Sequence, residues 1–302
     1  MTPDGPSGEP ARAKAPRLDP LEVRRTLRRE DLRPRHARSQ NFLADPDVLE
    51  AILDLSEAGE GSRVLEIGPG LGILTGGLLA GGASVTAVEL DRSLVAYLHE
   101  RFAEPIESGR LQLIEGDALD FDLPHLVASP YRVVANIPYH ITSPILHRLL
   151  ERAPRPERLV LMLQAEVAER IAAPPGRMSY LSVFVQFHAT VNAALRVPPE
   201  AFEPAPKVAS AVVVLQPHAS RELPPELEER LWGLVQSGFR ERRKMLRNVL
   251  ARQLRSGPDG ATGPLVGQAR VDAALEAVGI TGDRRPQTLS VDDWVRLLEA
   301  LA

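Results

Sequence analysis

The chain has 302 residues, no cysteine, 36 Lys and Arg against 40 Asp and Glu, and a formal net charge of −4. With 44% apolar and 25% charged residues it has the composition of a globular protein, one large domain or two ordinary ones at about 100–200 residues each. The lack of cysteine excludes disulfides, thiolate metal sites and thiol catalysis, and no apolar run approaches the roughly 18 residues that span a bilayer. Asp4, Glu9 and Asp19 lie among prolines where a secretory signal would need an apolar core, so the expected compartment is the cytoplasm.

Residues 1–20 have no periodic apolar pattern and are predicted to be a disordered tail, with a basic extension reaching residue 35. Residues 21–38 carry seven Arg against Glu22, Glu30 and Asp31, a net of +4, and residues 240–255 carry seven basic residues against Glu241, a net of +6. The remainder beyond residue 20 nets −14. An acidic body with two basic stretches has local fields suited to a polyanion, although solvated helix faces carry such runs too.

From about Leu43 to Leu215 short apolar runs alternate with amphipathic stretches. Strands are predicted at 63–67, 84–89, 111–115, 131–135, 158–163 and 211–215, with helices after the first two. That alternation predicts an α/β fold, a mostly parallel sheet covered on both faces, over residues 36–217. After Gln216 the pattern turns to helix alone, giving a small all-helical domain over 218–302: one helix from Pro225 to about Gly238, one over the basic stretch, a glycine-rich loop at 256–263, and two more near 267–278 and 290–301.

The first strand runs into Glu66-Ile67-Gly68-Pro69-Gly70-Leu71-Gly72 ahead of a helix. A glycine loop there puts backbone N–H groups at the carboxyl edge of the sheet, where ligands of open α/β sheets bind. The dinucleotide fingerprint G-x-G-x-x-G fails, since its third place is Ile73 or Thr75. Glu66 repels a pyrophosphate and favours an ammonium, which points to a ligand with an amino-acid moiety such as S-adenosylmethionine. Glu89, 21 residues after Gly68, can accept both ribose hydroxyls. Asp117 at the next strand end can accept from an adenine amino group; each carboxylate can alternatively cap the following helix.

The fourth strand leads into Asn136-Ile137-Pro138-Tyr139. A planar amine conjugated to a ring is a poor nucleophile. The Asn136 side-chain oxygen and the Ile137 carbonyl can accept its two N–H groups and draw the nitrogen toward tetrahedral geometry. Pro138 stiffens the turn and Tyr139 offers a face for the base. Phe184 and Phe202 are candidates for a second stacking aromatic, and either can instead be core. Arg240, Arg243, Lys244 and Arg247, at i, i+3, i+4 and i+7, are predicted to form one basic helical face for phosphates, with Met245, Leu246, Val249 and Leu250 packed behind.

Six motifs in order, Gln40-Asn41-Phe42-Leu43, Glu66–Gly70, Val88–Asp91, Gly116-Asp117-Ala118, Asn136–Tyr139 and Phe202–Val208, make the chain resemble the ribosomal RNA adenine N6,N6-dimethyltransferases over about residues 36–300, most closely their small-subunit branch. The resemblance implies a Rossmann-like domain and S-adenosylmethionine contacts at Asn41, Leu43, Gly68, Glu89, Asp117 and Asn136, with no metal. It also implies dimethylation of two adjacent adenosines in the 3′-terminal hairpin loop of small-subunit rRNA. The expected partners are that rRNA and the immature 30S particle, with no membrane, the chain acting as a monomer. Ser39 stands where the family usually has Gly, and His140-Ile141-Thr142-Ser143 where Asn-Ile-Ser-Thr is typical. The Gln-Asn-Phe-Leu segment is read as a lid over the cofactor. The nearest rival is the related large-subunit adenine methyltransferase of macrolide resistance; an RNA-binding factor that has lost the chemistry and a DNA or protein amide methyltransferase are further alternatives.

Overall fold

The structure, a computed structural model, describes residues 19–32, 40–219, 223–253 and 267–301. Most of the expected tail, Arg33, Arg35, Arg38, Ser39 and the glycine-rich loop lie outside them. The chain divides into two compact units, residues 1–163 with 196–212, and residues 164–195 with 213–302. The second therefore takes in residues 164–195, which the sequence reading assigned to the α/β domain.

In the first unit, β2 (Arg63–Ile67) pairs in parallel with β3 (Ser84–Glu89) on one side and β5 (Arg132–Asn136) on the other. β3 continues to β4 (Leu111–Glu115), and β5 to β6 (Arg158–Gln164). β7 (Ala189–Val197) and β9 (Ser210–Pro217) each carry residues of both units, and the sheet order is β4-β3-β2-β5-β6-β9-β7. The chain winds outward from β2 to β4 and then returns to β5, so the order reverses between β2 and β5, where open α/β sheets hold ligands. Register sets Glu89 opposite Glu115, Ile67 opposite Val88 and Asn136 opposite Met162, which aligns the carboxyl ends of these strands along one edge.

Local chemistry explains the helices. Asp45 caps α2 (Pro46–Ser56) by accepting from Asp47 and Val48 N–H, with Pro46 at the first position, and Asp91 caps α4 (Arg92–Arg101). α3 (Ile73–Ala80) starts at Gly72. Gly72 has φ +72°, and a Cβ on it would lie 2.4 Å from a ring carbon of Phe102 and 2.8 Å from Leu98, so only glycine fits there.

Residues 20–32 depart from the predicted disordered extension. Pro20–Arg29 forms helix α1, capped by Asp19, with Val23 and Leu27 buried while Arg24, Arg25, Arg28 and Arg29 point outward. Its apolar positions fall four apart, enough to seat a helix whose other faces are charged.

The second unit holds α7 (Ala165–Ile171), α8 (Tyr180–His188), α9 (Pro225–Arg240), α10 (Leu246–Gln253), α11 (Gln268–Ala277) and α12 (Val291–Leu301). Their core centres on fully buried Trp294 with Leu231, Val235, Leu246 and Leu250. Gly238 admits the indole: a Cβ there would stand 2.5 Å from the Trp294 ring. β7 has no counterpart in the sequence reading, because it is the last strand of the sheet and most of its residues are exposed, so it lacks the apolar run that marks a buried strand.

Candidate active site

A cleft in the first unit is lined by residues of all six motifs, among them Asn41, Leu43, Glu66, Gly68, Gly70, Glu89, Leu90, Asp117, Asn136, Tyr139 and Phe202. All the residues predicted to bind the cofactor or perform the chemistry meet there. Gly70 N–H donates to Glu89 Oε2 at 3.1 Å, and Asp91 N–H to Glu89 Oε1 at 2.8 Å, so the carboxylate is aimed from both ends. Burial raises the Glu89 pKa above its ordinary value, with those bonds opposing. A Cβ on Gly70, whose φ is +59°, would come within 3.1 Å of the Phe42 ring. Asp117 accepts from Leu119 N–H at 2.9 Å, which makes it the cap of a short 3₁₀ turn as well as a lining group.

Glu66 differs from the sequence expectation of a charged carboxylate. It is 1% exposed, and its Oε2 accepts from Thr75 Oγ1 at 2.7 Å. Desolvation pushes its pKa up to about 8, so at neutral pH it is a neutral acid in the ligand-free chain. Oε1 is buried and has no hydrogen-bond partner among the described residues, and a ligand ammonium in contact with it would satisfy it once the carboxyl ionises.

At the end of β5, Asn136 Nδ2 donates to the backbone carbonyl of Asn41 at 3.3 Å. That bond fixes the amide and leaves Oδ1 as the acceptor for an incoming amine. Ile137 N–H is taken by Met162 O at 3.2 Å, holding the turn to β6, and Tyr139 opens a 3₁₀ turn to Ile141. The Tyr139 hydroxyl lies 2.8 Å from Ser210 Oγ. The Gln-Asn-Phe-Leu segment is seated on this arrangement: β1 (Phe42–Leu43) pairs antiparallel with β8 (Phe202–Glu203), Ala44 N–H donates to Ala201 O, and Gln40 reaches Asp91 at 3.5 Å. Arg24 of α1 pairs with Glu203 at 2.7 Å.

The glycine loop with its φ-positive turns, the cradle that a Cβ would fill and the orphaned Glu66 oxygen fit a ligand with an amino group, a ribose and a flat base. The sequence profile of "Ribosomal RNA adenine dimethylase" matches residues 32–301. The chain belongs to that family. It is 43% identical to "Ribosomal RNA small subunit methyltransferase A" of Thermosynechococcus vestitus over 89% of this chain and 97% of that protein. It is 42% identical to the protein of the same name from Pseudomonas fluorescens, over 87% and 91%. Among solved structures it resembles a dimethyladenosine transferase from Plasmodium falciparum (TM-score 0.71, 27% identity, 85% of this chain and 95% of that one) and the 23S rRNA methyltransferase ErmE (0.67, 30%, 86% and 99%).

As an rRNA adenine dimethylase the chain is an S-adenosylmethionine-dependent methyltransferase. Among its described residues no group of three His, Asp or Glu side chains is placed to hold a metal, and no helix is long and apolar enough to cross a membrane.

The choice between the two aromatics is narrowed, and two further expectations are corrected in this dimethylase. Phe184 is fully buried in the second unit against His188 and Trp232, so it is core, while Phe202 lines the cleft. Arg240, Arg243, Lys244 and Arg247 do not share one helical face: α9 ends at Arg240, residues 241–244 turn with Lys244 N–H bound to Glu241 O, and α10 starts at Leu246. All four side chains remain exposed, on two helix ends and the turn between them. Met245, expected to pack inward, is 43% exposed, whereas Leu246, Val249 and Leu250 are buried as expected. Ser210 was missed, because it lies 71 residues from Tyr139 and has no spacing signal; its one sequence clue is that it closely follows the Phe202–Val208 motif.

Proposed function

We propose that this dimethylase transfers methyl groups to N6 of two adjacent adenosines in the 3′-terminal hairpin loop of small-subunit rRNA, giving N6,N6-dimethyladenosine during small-subunit assembly. It acts as a monomer, in the cytoplasm, on the immature 30S particle. The observation that carries the chemistry is the Asn136 amide, whose Nδ2 is tied to the Asn41 carbonyl, so that Oδ1 is the atom left to accept from the amine.

S-adenosylmethionine supplies an electrophilic methyl group on a sulfonium. Asn41, Leu43, Gly68, Glu89, Asp117 and Asn136 would hold it, with Glu89 taking the ribose hydroxyls and Glu66 Oε1 the amino group. Tyr139 stacks on the base, Phe202 being the candidate for its other side, and Pro138 keeps the turn stiff. Accepting both N–H groups at Asn136 Oδ1 and the Ile137 carbonyl opposes delocalisation of the nitrogen lone pair; that lone pair then forms the new C–N bond as the S–C bond breaks, and the N6 proton leaves to solvent. Arg240, Arg243, Lys244 and Arg247, and separately the outer face of α1, supply phosphate contacts that position without reading sequence.

The likeness to a 23S rRNA methyltransferase supports a second reading, methylation of large-subunit rRNA. Both are tested by incubating the protein and radiolabelled S-adenosylmethionine with unmethylated small subunits and with naked large-subunit rRNA, then mapping the label. Dimethyladenosine at two adjacent positions near the small-subunit 3′ end is expected; label confined to large-subunit rRNA would overturn the proposal.

A further inference from the structure

We propose that Ser210 is a positioning residue for the base that receives the methyl group: its hydroxyl pins the outer end of the Tyr139 side chain and so sets the plane on which the target adenine stacks. This rests on the reading of Tyr139 as the stacking face.

The two residues differ in how firmly each is held. Tyr139 follows Pro138 in a single 3₁₀ turn at the rim of the cleft and is only partly buried. Its ring hangs on two rotatable bonds, and its hydroxyl is the atom farthest from the backbone, so a contact there has the greatest leverage on ring orientation. Ser210 is 0% exposed and is the first residue of β9, inside the sheet. A group on a rigid strand therefore holds a group on a short turn, the arrangement by which a supporting residue keeps a site in register.

The partner chosen by Ser210 is also informative. A buried hydroxyl must find a hydrogen bond, and the cheapest solution is a nearby backbone carbonyl. The fully buried serines Ser56 and Ser182 do this, donating to Leu53 O and Arg170 O. Ser210 instead meets the Tyr139 hydroxyl at 2.8 Å across 71 residues of sequence. The segment that carries it is tied down at its other end, where Phe202 lines the cleft and Glu203 pairs with Arg24. The bond joins this strap to the Asn136–Tyr139 turn independently of the Asn136 to Asn41 bond, so the amide and the ring are each fixed by their own contact.

Ring orientation matters after the RNA has bound, since phosphate contacts supply most of the affinity. Losing one neutral hydrogen bond should then lower kcat about 3- to 10-fold with little change in KM for RNA. The test is a cycle of Ser210→Ala, Tyr139→Phe and the double variant, with methyl transfer to unmethylated small subunits as one readout. Both single variants delete the same bond from opposite sides while keeping the ring, so each should show that loss and the double variant should be no slower than the slower single one. Losses that multiply, or normal kcat in folded Ser210→Ala, would overturn the proposal.

A second readout needs neither cofactor nor RNA. The chain has four tyrosines, so ¹³C labelling of tyrosine gives four ring signals. Ser210→Ala should shift the Tyr139 signals and speed its ring flips, leaving the other three unchanged; an unaltered Tyr139 ring overturns the pinning. Failure of the wild-type protein to methylate small-subunit rRNA would instead overturn the parent reading, and the ring signals still decide whether Ser210 holds Tyr139.

Discussion

Replacing Glu66 by Gln should flatten the pH dependence of stability. In the folded chain burial holds the Glu66 pKa near 8, against 4.5 for the ordinary side chain. Between those values the native state carries one proton more than the unfolded state. The stability contributed by Glu66 is thus complete below about pH 4.5, falls as pH rises, and is gone above about pH 8. At 1.36 kcal/mol per pH unit the gap corresponds to on the order of 5 kcal/mol. Gln keeps the shape, can still accept from Thr75 Oγ1, and does not ionise. Glu89, whose carboxylate faces Glu66, and every other side chain are the same in both proteins, so the difference between them isolates Glu66. The assay is urea denaturation at about pH 5 and about pH 8.5. The wild type should lose several kcal/mol more than Glu66→Gln over that interval. Parallel losses would refute the claim that this carboxyl is held protonated in the ligand-free chain.

Gly72→Ala forces a left-handed backbone on alanine and drives its methyl into Phe102, so urea unfolding should show a loss of about 2–4 kcal/mol. Arg24→Ala removes an ion pair whose arginine is more than half exposed, so it should leave stability nearly unchanged while weakening RNA binding in filter assays. Reversing Arg240, Arg243 and Arg247 to Glu should weaken rRNA binding and flatten its dependence on salt, because fewer phosphates are neutralised; the slope of log affinity against log salt measures this.

The parallel strands and most of the site were legible because both are written locally. Arg63–Ile67, Ser84–Glu89 and Leu111–Glu115 are apolar runs that end in glycine or a carboxylate, and strand ends on one sheet edge are necessarily neighbours. Asn136 was found for the same reason. Three features depend on contacts that sequence does not announce. No Gly or Pro interrupts 239–253, so the periodicity there reads as one helix; the break appears where Leu246 N–H is claimed by Arg284 O and Arg247 N–H by Gly282 O, far along the chain. The neutrality of Glu66 follows from its complete burial, which strand position alone does not fix. Phe202 reaches the cleft, and Ser210 the Tyr139 hydroxyl, only through the late strands β8 and β9, 63 and 71 residues after Tyr139 in the sequence.

The central claim is that Asn136 activates the amine and does not merely shape the cleft. Asn136→Ala should be compared with the wild type in single-turnover methyl transfer to unmethylated small subunits, with binding of the same subunits measured in parallel. Removing a preorganised acceptor from the transition state should slow transfer by at least about 100-fold while subunit affinity, which the proposal assigns to arginine contacts outside the cleft, should change less than about threefold. Near-normal transfer by the variant would contradict the account.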